Sequence, residues 1–156
     1  MDIIRQIVSN KILITAFAGY FTAQVVKAVL EAVMDHTFSF RRLMTGNGGM
    51  PSSHASTVTA LATMTAFTSG VDSFQFAFSV IFAIVVMVDA SGVRRETGKQ
   101  AIVLNELMEY FGKLRDNPPR FSQENLKELI GHSPLQVQIG AILGVIIAVV
   151  MHLVWK

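Results

Sequence analysis

LQVQIGAILGVIIAVVMHLVW, residues 135–155, decides what kind of protein this is. The stretch holds no Asp, Glu, Lys or Arg. A helix of roughly 20 mostly apolar residues is what crossing a bilayer's hydrocarbon core requires. Working outward, residues 12–34 form a second such run, charged only at Lys27 and Glu31 near its end. Residues 55–69 and 74–88 are shorter and reach spanning length only when their Ser/Thr-rich ends are counted. They read as a helical hairpin turning at Gly70-Val71-Asp72-Ser73. The expectation is an all-α integral membrane helical bundle of about four transmembrane helices.

Composition agrees. Of 156 residues, 51% are hydrophobic and 15% charged, against about 25% charged in an ordinary soluble domain. The mean hydropathy is +0.48. A soluble bundle of buried helices is the alternative, and the apolar fraction argues against it. The length suits one domain, residues 1–156. Cys is absent, which excludes a disulfide framework, a thiolate nucleophile and a Cys-based metal site. A net charge of +2 without a basic stripe speaks against nucleic acid. Arg5 and Lys11 precede the first apolar run, which lacks a small-residue cleavage site and therefore reads as a retained span.

The polar connections are residues 35–53 and 90–133. Within the second, residues 100–114 place Val103, Leu107, Phe111 and Leu114 on one helical face. That helix reads either as interfacial, lying on the membrane, or as packed against the spans. Asn117-Pro118-Pro119 breaks it. A short helix over 123–130 then stops at Gly131. Ser133-Pro134 opens the last span, Ser as cap and Pro at the first helical position. With alternating spans, Lys27, Ser52, Ser53, His54, Asp89, Arg94, Arg95 and His132 all fall at one membrane face. The loops of that face carry nine basic residues in all, Arg41, Arg42, Arg94, Arg95, Lys99, Lys113, Arg115, Arg120 and Lys127; the other face carries Arg5, Lys11 and Lys156. The positive-inside rule puts the basic face in the cytoplasm.

Gly48-Gly49-Met50-Pro51-Ser52-Ser53-His54 and Gly131-His132-Ser133-Pro134 are each a turn that opens an apolar helix. A helix N-terminus presents unpaired N–H groups and the positive end of the dipole, a seat for phosphate. The backbone N–H groups of Ser53 and His54 can reach such a seat. No Gly-Lys-Ser/Thr closes the loop, so it is not a P-loop. Lys27, Arg42 and Arg94 or Arg95 can hold the phosphate charge; ordinary interfacial snorkelling is the competing reading. Of the histidines, His132 suits a nucleophile and His54 a general acid, with capping or core packing as the alternative. His36 and His152 read as structural. No cluster has metal-ligand spacing, and neither a metal nor a cofactor is expected.

Pro51-Ser52-Ser53-His54 resembles the Pro-Ser-Gly-His motif of the type 2 phosphatidic acid phosphatase superfamily, which includes vanadium haloperoxidases. His132 followed by Gln136, Val137 and Gly140 resembles its His-x-x-x-Asp-Val-x-x-Gly end motif. More closely, Gly48 to His54 and Asp89-Ala90-Ser91-Gly92-Val93-Arg94-Arg95, with Gly98-Lys99-Gln100-Ala101, are similar to the divergent PAP2 family over nearly the whole chain. The resemblance implies a membrane lipid phosphate or pyrophosphate as substrate, phosphate or vanadate-like anions as ligands, and a phosphohistidine mechanism. His132 would be nucleophile and His54 the acid, with Lys27, Arg42, Ser52, Ser53, Arg94, Arg95 and Asp89 around the phosphate. Two departures stand out. About forty residues separate the Arg pair from His132, where the superfamily keeps its Arg close. Gln136 stands where the superfamily has Asp and this family usually Glu. Gln can orient the His132 ring but brings no charge. A slow or inactive chain that binds or moves anionic lipids is therefore the second reading, unless Asp89 or Glu96 supplies the charge. The resemblance further implies a bacterial plasma membrane or a plastid membrane. Four spans are short of the usual six, and Gly140 and Gly144 make a small-xxx-small surface that is either internal or the contact of a homo-oligomer.

Overall fold

The computed structural model describes residues 2–35, 49–114 and 132–155. Arg42, the 117–119 break, the 123–130 helix and Gly131 lie outside the described residues. Six helices occur among those described: α1 (Asp2–Val8), α2 (Lys11–Asp35), α3 (Ser53–Ser69), α4 (Phe74–Ser91), α5 (Val93–Leu114) and α6 (Pro134–Val154). The hairpin expected at residues 70–73 joins α3 to α4. Three segments are long and apolar enough to cross a membrane: Lys11–Val33, Phe74–Phe111 and Pro134–Val154.

Four of the described helices start where a side chain takes an unpaired first-turn N–H group. Asn10 accepts from the Leu13 N–H at 3.1 Å through Oδ1 and so opens α2. Ser52, Ser73 and Ser133 cap α3, α4 and α6. The expectation for the last span is met in full: Ser133 is the cap and Pro134 the first helical residue.

α3 is the hub. It packs on α2, α4 and α6, while α2 also packs on α6 and α5 packs chiefly on α4. At 17 residues, and with eight Ser or Thr along its length, α3 is not among the strongly apolar segments. Its surroundings explain this, because protein rather than lipid covers it. Ser53, Ala55, Ser56, Val58, Ala60, Ala62, Met64 and Thr65 are all buried. Four of its hydroxyls bond back to their own helix, Thr57 to Ser53 O at 2.7 Å, Thr59 to Ala55 O at 2.8 Å, Thr65 to Leu61 O at 2.8 Å and Thr68 to Met64 O at 2.9 Å. Two reach neighbouring spans: Ser56 Oγ donates to Gly19 O at 2.9 Å, and the same Thr59 Oγ1, shared with Ala55 O, lies 3.0 Å from Ala141 O. Such bonds substitute for water inside a bilayer.

Close backbone approach makes them possible. A methyl group on Gly19 would meet Ser56 O at 2.9 Å and the Ala60 Cβ at 3.0 Å. One on Gly140 would run into the Ser52 backbone, and one on Gly144 into Thr59 Oγ1 and Ser56 O. The Gly140/Gly144 surface is thus internal, the seam between α6 and α3.

α5 is longer than the 100–114 helix read from the apolar pattern. It begins directly after Gly92, where the α4 ladder closes with Gly92 N–H donating to Val88 O at 2.8 Å, so Arg94 and Arg95 sit in its first turn. The polarity of that turn had masked it. Its apolar face is uncovered, with Val103, Leu107 and Phe111 all exposed.

Candidate functional site

The carboxyl ends of α2 and α4 and the amino ends of α3 and α6 converge at one end of the bundle. Ser52 ties two of them together. Its N–H donates to Gln136 O at 3.1 Å, and its Oγ accepts from Ala55 N–H at 3.4 Å. Ser52 is fully buried. The residue therefore serves the fold at its backbone and side chain alike, a role that the phosphate-binding expectation did not include. The α3 ladder begins with Ser56 N–H to Ser52 O at 3.1 Å. The N–H groups of Ser53 and His54 precede that ladder, at the positive end of the helix.

The loop before Ser52 rests on α2. Gly49 has φ 79°, a left-handed backbone that favours glycine. A side chain there would press on Glu31 Oε1 at 3.0 Å and on the Lys27 Cγ and Cδ at 3.3 Å. Gly49 is thus laid over Lys27, which is only 3% exposed. Glu31, one turn further along α2, shares that face. By composition Glu31 only interrupts the first span; its i, i+4 spacing from Lys27 is the signal that it belongs beside the site.

His132 is 5% exposed. Its N–H donates to Ala90 O at 3.0 Å, so the end of α4 holds the histidine's backbone in place. Ala90, Ala55 and Val137 form a buried cluster beneath it, from α4, α3 and α6. This clamp explains why the Asp89-Ala90-Ser91-Gly92 segment belongs to the site although about forty residues separate it from His132. The half-buried His54 lies across from His132, ring centroids 6.1 Å apart and planes at 59°.

Gln136 has two tasks. Its Oε1 accepts from Ser133 N–H at 2.8 Å while Ser133 Oγ accepts from Gln136 N–H at 3.3 Å, a complete capping box. The same Oε1 lies 3.4 Å from His132 Nδ1. Because the Ser133 N–H fixes that atom as an oxygen, the imidazole can meet it only with Nδ1–H. In that tautomer the lone pair is on Nε2. Gln136 thus reaches the His132 ring from one turn away, through a long contact and without charge.

Asp89 is half-buried at the end of α4, beside the Ala90 carbonyl. Arg95 is exposed on the first turn of α5, and the side chain of Arg94 lies outside the described residues. Lys27, Ser52, Ser53, His54, His132 and Gln136 are therefore brought to one end of the bundle, with Asp89 adjoining.

The divergent PAP2 family's sequence model matches residues 8–147. An uncharacterized membrane protein of Bacillus subtilis (strain 168), YuiD, is 38% identical over 153 residues, covering 94% of this chain and 96% of its own length. No solved structure matches the chain significantly.

Proposed function

The chain belongs to the divergent PAP2 family, and from that premise and the geometry above we propose that it is a membrane phosphatase acting on a lipid phosphate or pyrophosphate. The observation that carries the reading is the pairing of His54 and His132 at 6.1 Å beside a buried lysine and a helix N-terminus. His132 Nε2 attacks phosphorus, and the bond to the lipid oxygen breaks. His54 in its protonated form gives its proton to the leaving alkoxide. The neutral His54 then takes a proton from water as that water attacks the phosphohistidine, which restores His132 and releases inorganic phosphate. Lys27, Arg42, Arg94 or Arg95, and the N–H groups of Ser53 and His54 hold the phosphoryl oxygens. The site faces the cytoplasm of a bacterial cell or the equivalent side of a plastid membrane, as the basic loops favour.

One observation favours a second reading. Gln136 brings no charge to His132, and loss of the corresponding carboxylate in a serine-protease triad costs about 10⁴ in rate. A chain so impaired would bind or move anionic lipids through the same seat.

The test is phosphate release from a panel of lipid phosphates in detergent by the native chain, His132→Ala and Gln136→Glu. The expected result is release by the native chain, loss to background in His132→Ala, and an increase in Gln136→Glu. Release in Gln136→Glu alone favours the impaired binder. Silence from all three folded proteins sinks the phosphatase reading.

A further inference from the structure

Inside the bundle, one buried polar atom has no place in the mechanism above. Gln24 is 7% exposed, its Nε2 donates to Tyr20 Oη at 3.0 Å, and its Oε1 is buried with no hydrogen-bond partner among the described residues. Such a group is costly inside a membrane, where no solvent stands in. It is also the kind of group that accounts for itself by meeting a ligand. Its register points to which one. Gln24, Lys27 and Glu31 lie at i, i+3 and i+7 on α2, one face of the helix. Gln24 is thus about 4.5 Å deeper in the bundle than the lysine of the phosphate seat.

We propose that Gln24, held by Tyr20, is a specificity-determining residue that reads an oxygen-bearing group of the substrate one helical turn below the phosphate. This rests on the phosphate seat proposed above. A lipid phosphate with a hydroxyl or ester carbonyl at that depth satisfies the free end of the amide. A hydroxyl donates to Oε1; an ester carbonyl is served by the same amide turned over, with Tyr20 Oη donating to Oε1 instead. An isoprenoid phosphate presents only hydrocarbon there and leaves the amide unsatisfied. Gln24 does not touch the reacting phosphorus; it sets which lipid settles with its phosphate in the seat.

The test uses the full chain in detergent, with lipid retention read by native mass spectrometry. The probes are equimolar dioleoyl phosphatidic acid and farnesyl phosphate, offered to the His132→Ala chain so that neither is consumed. The expected result is phosphatidic acid retained about tenfold over farnesyl phosphate, the effect of one buried hydrogen bond. Adding Gln24→Leu collapses that ratio, and Tyr20→Phe lowers it. Because Gln24→Leu removes an unsatisfied polar atom, its melting temperature should not fall, which separates lost selectivity from lost folding. Equal retention of the two lipids, or a ratio unmoved by Gln24→Leu, overturns the inference even if the native chain releases phosphate. A ratio that collapses as expected, in a chain that releases no phosphate from any substrate, upholds the inference and removes the phosphatase reading alone.

Discussion

Lys27 is a buried cation in the last third of a spanning helix. A cation inside a spanning helix is expensive and by default marks function, and Lys27 is 3% exposed beneath the Gly49 loop. Replacing it by Met keeps the length of the side chain and removes the charge. Replacing both members of a buried ion pair by apolar groups is often neutral, but removing one strands the other charge, and Glu31 shares the face of Lys27. Lys27→Met is therefore expected to lower the melting temperature in detergent and also to raise KM, and the inhibition constant of orthovanadate, at least about tenfold. A lysine with a purely structural role would move the melting temperature and leave vanadate inhibition alone. The Lys27 position within an apolar run was legible in the sequence. Its seat under Gly49 was not, because no local pattern tells which loop folds back over a helix. Ser133 is the second informative residue. Removing its hydroxyl in Ser133→Ala takes away half of the capping box that holds Gln136. The expected cost is about 0.5–2 kcal/mol of stability, read by thermal unfolding. A fall in any measured kcat should accompany it, because Gln136 Oε1 also faces His132 Nδ1.

Among the helices, α3 repays the closest reading. Its Ser/Thr content made it the weakest span by composition, and it is the element around which the others pack. Hydrophobic length finds helices that face lipid; a helix wrapped by protein can carry hydroxyls that bond to neighbouring backbones. The Gly140 and Gly144 pair illustrates the same limit. Spacing on α6 marked a close-packing surface, and only the Ser52, Ser56 and Thr59 contacts assign it to α3 rather than to a second copy. Gly144→Ala is expected to cost about 1–3 kcal/mol by overpacking, seen as a lower melting temperature at unchanged oligomeric state. Dissociation of an oligomer without loss of monomer stability would contradict the internal assignment. Helix α5 shows the converse case: the apolar face found from periodicity is present, but the helix already starts at Val93, directly after Gly92 ends α4, in a polar turn that hydrophobicity does not mark.

The whole molecule is polar at one end and apolar along its flanks. Lys27, His54, His132 and the end of α4 meet at that end, while the 70–73 hairpin lies at the other together with Lys11, whose Nζ reaches Trp155 O at 3.4 Å and sits 5.8 Å over the Trp155 ring. Aromatic and basic groups of that kind settle at a membrane interface. The absence of cysteine allows a clean test of orientation. Val71 is 70% exposed in the hairpin, and Gln100 is exposed on α5. In intact bacterial cells, an impermeant maleimide is expected to label Val71→Cys, and to label Gln100→Cys only after lysis. The reverse pattern would place the candidate site on the outer face.

What the sequence determined by itself was the apolar spans, the hairpin between the middle two, the Ser133-Pro134 start of the last span and the two histidine turns as motifs. Each is a local matter: apolar runs long enough for a bilayer, a Ser where first-turn N–H groups need an acceptor, a Gly or Pro where a helix cannot continue. What only the tertiary structure decided was the assembly of these parts. The approach of His54 to His132, the clamp of His132 on the Ala90 carbonyl, the burial of Lys27 under Gly49 and the α3–α6 glycine seam join residues far apart in the chain. They depend on how small side chains let backbones approach, and that complementarity between distant segments has no signature in either segment alone.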